Sequence, residues 1–272
     1  MNRTSNLIMV TGSHEKRTDS LTSLANNDQN IVIEAVRSGE DIPKSVEDLA
    51  VFMLDHDMVI RDIVKKLRKK IALKDKKFSI SLANKKENEI KLIIDLFDNL
   101  IGVIASYYYS PKTKMLSGEL VLSNQAKRFI GGDYMEIAVF KKTKIILDDL
   151  ARKYNKTFAL HRNVHVSTKN GVLKNEFDLI IDFAGVYFAI EIKSGDNFRD
   201  VEKYMSIGRE YKIVPGRFLL VDNYYSNTKA NIGSYFCGYY ISNLSGNSYK
   251  DTLTKMIVNG MGCKNTCLLN VS

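Results

Sequence analysis

Two strongly apolar runs, residues 177–183 and 186–192, flank the dipeptide Ala184-Gly185. Two apolar runs of this length around a glycine-containing turn predict a β-hairpin. Runs of such apolar character also indicate that both strands are buried. The rest of the chain must therefore supply the elements that surround this hairpin, and they are interpreted around it.

Charged residues interrupt the apolar runs in register. Side chains alternate along a strand, so Asp178 and Asp182 share one face of the first strand. Glu191 and Lys193 share one face of the second. A two-residue turn places Asp178 opposite Glu191, within roughly 5–6 Å. The same count pairs Asp182 with a tyrosine, which leaves Asp182 outside the charged group.

Like charges on opposite strands destabilise a sheet, so two facing carboxylates need a compensating positive charge. A divalent cation is the simplest one, and Mg²⁺ binds through a few carboxylates, waters and substrate phosphate oxygens. Metal-assisted hydrolysis of a phosphodiester uses such carboxylates together with a lysine. The alternative is a structural hairpin with acids on its wet face. Ala-Gly is not a favoured hairpin dipeptide, so a slipped register is also open.

The charge balance points to an anionic partner. The 272 residues carry a net charge of +9, with a pI near 9.2, and nucleic acid is the leading class of partner for such a chain. No apolar run approaches the ~20 residues that span a membrane. The first residues also lack the apolar core of a signal peptide, so we expect a cytoplasmic protein without a membrane partner.

The first half of the chain offers basic surfaces. Residues 45–73 predict two helices broken near His56, and residues 103–122 predict a hairpin with a basic loop. This order of helices followed by a hairpin is similar to a winged-helix module, while a solvated amphipathic helix and a sheet edge are the plainer alternatives. Six lysines are candidates for binding phosphate: Lys65, Lys66, Lys69, Lys70, Lys112 and Lys114.

A long helix is predicted to begin near Glu136, which heads its apolar stripe. An acid in the first turn also suits a helix N-terminus, so Glu136 has a structural interpretation beside a functional one. Strands are expected over 157–167 and 217–223, with a helix over 197–212 between the hairpin and the last strand. That helix would serve as a crossover and bring the last strand beside the one that carries Glu191.

Asp178 followed by Glu191-Ile-Lys193 resembles the signature of the PD-(D/E)xK nuclease superfamily, with Phe177 at the usual proline position. Together with Gly-Gly-Asp-Tyr-Met-Glu at 131–136, the pattern resembles the nuclease domain of CRISPR-associated ancillary nucleases, in which a cyclic-oligoadenylate-sensing (CARF) domain precedes the nuclease. The resemblance covers about 90–225. Nuclease-like domains on some bacterial ATPases end similarly, but no ATPase motif is present.

The resemblance implies that Asp178, Glu191 and Glu136 ligate Mg²⁺ or Mn²⁺. It implies that Lys193 orients the attacking water and stabilises the transition state, with Glu176 a weaker candidate that the register count places opposite Lys193. It also implies an α/β fold with a restriction-endonuclease-like αβββαβ core. A homodimer is expected as part of the endonuclease hypothesis.

We therefore expect a smaller α+β region at 1–123, with a possible binding or regulatory role, and a nuclease-like domain at 124–272. The expected activity is that of a metal-dependent endonuclease acting on DNA, or alternatively RNA, in defence or DNA processing. The competing hypothesis is a non-catalytic nucleic-acid-binding or regulatory protein on the same fold.

Overall fold

The structure is a computed structural model. It describes residues 21, 31–37, 42–194, 203, 206, 210, 211, 213–222, 238–241, 244 and 247–262. The described residues divide into two compact units: the first holds Ile42–Ala138, and the second holds residues 21 and 31–37 with everything described after Ala138. The domain boundary expected after residue 123 stays a prediction.

The first unit packs helices against a small antiparallel sheet. Its sheet has the order β2-β4-β3, and the β3–β4 hairpin confirms the one predicted from the sequence. The predicted helix break is also confirmed, since His56 separates the first two helices. The elements are α1 (Lys44–Asp55), α2 (Asp57–Ala72), β2 (Lys77–Ser81), α3 (Glu87–Asn99), β3 (Ile104–Ser110), β4 (Met115–Leu120) and α4 (Asn124–Arg128).

A π-helical turn over Phe129–Asp133 leads from α4 into α5 (Tyr134–Tyr154), which begins in the first unit and continues into the second. The predicted long helix is thus confirmed. Inside the turn, Gly132 departs from helical geometry, so the helix axis kinks just before α5. Asp133 at the end of this turn lies 3.3 Å from Arg128, which ties the two sides of the kink together.

The second unit is built on a six-stranded mixed sheet in the order β1-β5-β6-β7-β8-β9. Its strands are β1 (Ile31–Arg37), β5 (Phe158–Thr168), β6 (Leu173–Phe183), β7 (Val186–Lys193), β8 (Phe218–Asp222) and β9 (Tyr239–Ile241). Along this sheet β1, β5, β6 and β7 pair antiparallel, whereas β7, β8 and β9 pair parallel. The prediction that β8 lies beside β7 is confirmed. The predicted crossover helix at 197–212 falls largely outside the described residues.

Helices α5 and α6 (Ser248–Gly262) contribute to the core of the second unit. The hydroxyls of Thr143 on α5 and Tyr249 on α6 lie 2.5 Å apart in a buried hydrogen bond. Near the end of α6, Gly260 packs so closely on β7 that an added Cβ would lie 2.4 Å from the Phe188 ring. The helix thus holds β7 from the face opposite to that of the charged residues, since side chains alternate along a strand.

None of the helices within the described ranges is long and apolar enough to cross a membrane.

Candidate active site

The turn of the central hairpin has the register that the two-residue count predicted. Phe183 pairs with Val186, and the ladder runs on to Leu179 and Ile190. Ala184 and Gly185 both have positive φ, +54° and +77°, as in the type I′ turns that suit hairpins. Alanine is a poor residue for this conformation, and the turn is held by the Asp182 carboxylate, which accepts a 2.9 Å hydrogen bond from the Gly185 N–H.

The far end of the hairpin departs from the count, because the ladder between β6 and β7 stops after Leu179 and Ile190. The expected cross-strand pair of Asp178 with Glu191 is therefore not part of it. Instead, Asp178 Oδ2 accepts a 2.6 Å hydrogen bond from the Ile192 N–H. Opposite Asp178 on β5, Asn163 has a φ of +51°, and the β5–β6 register skips this position. Asp178 thus lies where β6 separates from β7.

Glu191 and Lys193 lie on one face of β7 and contact each other. Lys193 Nζ is 2.5 Å from Glu191 Oε1. Glu191 is buried, with 4% of its surface exposed, while the lysine side chain is 28% exposed. A buried carboxylate is costly unless a cation or hydrogen bonds compensate it. Lys193 supplies part of that compensation, and its side chain stays partly exposed to solvent.

The charges of Glu191 and Lys193 also act on Asp178. Burial, followed by repulsion from the Glu191 carboxylate, raises the pKa of Asp178 to about 8. The Ile192 N–H and Lys193 oppose this rise but do not cancel it. Two carboxyl groups and one lysine thus share a site in which a second negative charge is disfavoured. Perturbed acids of this kind concentrate at functional sites.

Asp222 is a residue that the sequence analysis missed. It ends β8 directly opposite Lys193 in the parallel register, and it is fully buried. The Tyr240 hydroxyl donates a 3.4 Å hydrogen bond to Asp222 Oδ2. An acid at the carboxyl end of a predicted parallel strand is a signal that could have found it, because ligands bind at that edge of open α/β sheets.

Two further acids, Glu176 and Glu136, are candidates beside this cluster of Asp178, Glu191 and Lys193. Glu176 was expected opposite Lys193, but the β6–β7 ladder does not extend there, and its Oε1 lies 3.4 Å from His165 Nε2 on β5. Its carboxylate still adds to the repulsion that raises the pKa of Asp178. Glu136 lies half-buried in the first turn of α5 and belongs to the first unit. Its place in a metal shell stays a prediction.

The six lysines predicted to bind phosphate lie on two elements of the first unit. Lys65, Lys66, Lys69 and Lys70 are on α2, and Lys112 and Lys114 are in the β3–β4 loop. Lys70 and Lys114 each have an acidic neighbour. Lys70 Nζ lies 2.5 Å from an Asp75 oxygen, and Lys114 Nζ lies 3.2 Å from a Glu87 oxygen. Tyr108 on the same hairpin is 69% exposed and available for stacking.

The donor set at the hairpin suits Mg²⁺ or Mn²⁺. Across the residues that the structure describes, no group of three or more His, Cys, Asp or Glu side chains is arranged to hold an ion. Mg²⁺ does not need such a cage, since it commonly binds through one or two carboxylates and keeps several waters. A divalent cation would compensate the repulsion between the ionised carboxylates of Asp178 and Glu191.

No family model matches the sequence, and no curated protein matches it. Solved structures do match the fold. Protein VC1899 from Vibrio cholerae is 19% identical, with a TM-score of 0.54 over 85% of this chain and 59% of that one. Can2 from Sulfobacillus thermosulfidooxidans, solved in complex with cyclic tetra-adenylate, is 14% identical, with a TM-score of 0.51 over 84% of this chain and 56% of its own.

The chain thus spans less than two thirds of either neighbour's length. At these identities the likeness is one of fold, a mixed α/β architecture shared over most of this chain.

Proposed function

We propose that the protein is a metal-dependent nuclease that hydrolyses phosphodiester bonds of DNA, with RNA as the alternative substrate. The observation that carries the proposal is the meeting of Asp178, Glu191 and Lys193 at the open end of one hairpin. The lysine ammonium contacts the Glu191 carboxylate at 2.5 Å, and burial together with repulsion from that carboxylate raises the pKa of Asp178. A purely structural hairpin has no need for two carboxylates that destabilise each other.

In this proposal Asp178 and Glu191 hold Mg²⁺ or Mn²⁺, and Glu136 completes the shell. When bound, the cation polarises the scissile phosphate and lowers the pKa of a bound water. Lys193 positions the attacking water and stabilises the negative charge that develops on the phosphate oxygens. The buried face around Glu191 lowers the local dielectric and strengthens both effects.

The topology of the second unit supports a restriction-endonuclease-like core. Strands β5, β6 and β7 pair antiparallel in succession, and β8 then joins β7 in parallel, as the αβββαβ order requires. Helix α5 precedes these strands. The fold likeness to a protein solved with cyclic tetra-adenylate agrees with the resemblance to CRISPR-associated nucleases. Control by a cyclic oligonucleotide and a homodimeric state are parts of the same proposal.

The lysines of the first unit are proposed to bind the substrate backbone. Lys66 and Lys69 are exposed on α2, and Lys112 is exposed at the hairpin loop. Interactions of this kind with phosphates give affinity without sequence preference.

The decisive experiment incubates the purified chain with single- and double-stranded DNA and RNA, each with Mg²⁺ or Mn²⁺, with and without cyclic oligoadenylates. We expect cleavage of at least one substrate, and its loss in Asp178→Ala, Glu191→Gln and Lys193→Ala. Asp182→Asn is the matched control, since Asp182 lies on the same strand face but only holds the turn.

Binding without cleavage under every condition would favour the non-catalytic alternative. Neither binding nor cleavage would reject a nucleic-acid function altogether.

A further inference from the structure

We propose that Asp222, fixed by Tyr240, is a positioning residue that keeps the Lys193 ammonium in the site once Glu191 is committed to the metal. The inference rests on the proposed nuclease function and deepens it. The juxtaposition that carries it is Lys193 at the end of β7 directly beside Asp222 at the end of β8.

The register puts two carboxylates beside one lysine. Strands β7 and β8 are parallel, with Glu191 opposite Leu220 and Lys193 opposite Asp222. Register partners on adjacent strands point to the same face, and the strands lie about 4.8 Å apart. Lys193 therefore has Glu191 as a neighbour along its own strand and Asp222 as a neighbour across the ladder.

Because Asp222 is buried, a nearby positive charge would stabilise its ionised carboxylate. It is fully buried, and the hydrogen bond that the Tyr240 hydroxyl donates to it is long, at 3.4 Å. A buried ionised carboxylate is strongly destabilising without a cation nearby. Within β7, β8 and β9, Lys193 is the one cationic residue, and it stands in register with Asp222.

The two acids have different roles because only one belongs to the proposed metal shell. The ammonium group of Lys193 contacts Glu191 at 2.5 Å. A divalent ion on Glu191 would take that carboxylate and repel the ammonium. The lysine side chain is already 28% exposed, so without a second acid it would turn into solvent. Asp222 offers that second acid on the buried side.

Steady-state kinetics tests the role. Asp222→Asn should lower kcat by about 10-fold or more, while KM for the substrate and the Mn²⁺ concentration for half-maximal activity change less than about twofold. Tyr240→Phe keeps the ring and removes only the hydroxyl, and it should lower kcat by about threefold. Asp182→Asn, the matched acid on the neighbouring strand, should cleave as the wild type does. An unchanged kcat in Asp222→Asn, or a loss confined to KM, would overturn the proposal.

A second readout does not depend on cleavage. Thermal unfolding of the metal-free wild type, Asp222→Asn, Lys193→Met and the double variant forms a double-mutant cycle. We expect the double variant to lose clearly less stability than the sum of the two single variants. Strict additivity would show that the two side chains do not interact and would reject the inference.

The two readouts separate the failures. If the wild type cleaves nothing, the nuclease proposal fails, and the cycle alone decides whether Asp222 holds Lys193. If the wild type cleaves and the cycle is additive, only the role of Asp222 fails.

Discussion

Asp178 and Asp182 lie on the same strand, face the same side and stand four residues apart, yet the two ends of the hairpin use them differently. Asp182 accepts a hydrogen bond from the Gly185 N–H and holds a turn whose alanine is in an unfavourable conformation. Asp178 meets a buried glutamate and has its pKa raised to about 8. Asp182 stabilises an unfavourable backbone conformation, whereas Asp178 adds an unfavourable electrostatic interaction.

The difference shows that neighbours, not residue type or strand face, make a site. At the turn the acid finds a neutral N–H donor and partial exposure, so its charge is easily accommodated. At the open end the acid shares a buried space with Glu191, and Lys193 neutralises only part of the charge. Functional sites are commonly less stable than the fold would allow, because their groups are placed for chemistry.

The largest expected effect is on cleavage, in variants at the proposed active site. Lys193→Ala and Glu191→Gln should each reduce the cleavage rate by roughly 10³-fold, because each removes charge stabilisation at the scissile phosphate. Single-turnover cleavage at saturating Mn²⁺ measures the rate. Asp182→Asn should stay within about twofold of the wild type, and a comparable loss there would mean that the hairpin acts as one unit.

The second prediction concerns stability and pH. In the folded protein the pKa of Asp178 lies near 8, against 3.8 for an ordinary aspartate, so the folded state binds the extra proton between those values. The metal-free protein should therefore lose stability as pH rises through about 4 to 8. Asp178→Asn should remove that slope and raise the free energy of unfolding at pH 8 by at least about 1 kcal/mol, while abolishing cleavage.

Urea unfolding at several pH values in the presence of a chelator measures this effect. Asp182→Asn, on the same strand face, is the control variant. A metal-free stability that rises with pH over the same window would contradict the electrostatic description of Asp178.

The third prediction concerns nucleic-acid binding by lysines that lie outside the β6–β7 hairpin. Replacing the exposed Lys66 and Lys69 with alanine should weaken nucleic-acid binding by about 10-fold and reduce the magnitude of the salt slope by about 0.9 for each phosphate that is no longer neutralised. Fluorescence anisotropy across a salt series measures both quantities. Lys153→Ala and Lys250→Ala, exposed lysines outside the proposed surface, serve as controls. Equally weakened binding in both sets would mean that the net charge alone binds the substrate.

The smallest effect lies at the turn. Asp182→Ala removes the acceptor of the Gly185 N–H and should cost about 1 kcal/mol of stability, with cleavage unchanged. Asp182→Asn retains an acceptor oxygen and should cost less. Chemical denaturation of the two variants side by side checks the difference, and an equal cost would point to the missing charge rather than the missing hydrogen bond.

The hairpin itself was predictable because its signals are local. Two apolar runs of strand length and a glycine turn fix the pairing of Phe183 with Val186, and the structure confirms it. The count failed from Asp178 outward, where the ladder between β6 and β7 has ended. Asn163 on β5 adopts a positive φ opposite Asp178, and no pattern within residues 175–195 carries that information.

Asp222 escaped the sequence analysis for a related reason. Its importance depends on the parallel register of β8 against β7, which only the folded sheet fixes. Glu176 was assigned the wrong neighbour because the count assumed that β6 follows β7 to its end, whereas β6 continues alone with β5 toward His165. Local pattern thus predicted the strands, and long-range pairing decided which acids meet.

Gly260 on α6 packs directly against the strand that carries Glu191. The Phe188 ring fills the space where a side chain at 260 would begin, and Phe188 stands three residues before Glu191 on β7. A single methyl group at 260 would therefore displace the Phe188 ring, which stands on the face of β7 opposite to that of Glu191. The packing of α6 on the strand that carries Glu191 therefore depends on the absence of a side chain on a helix outside the proposed site.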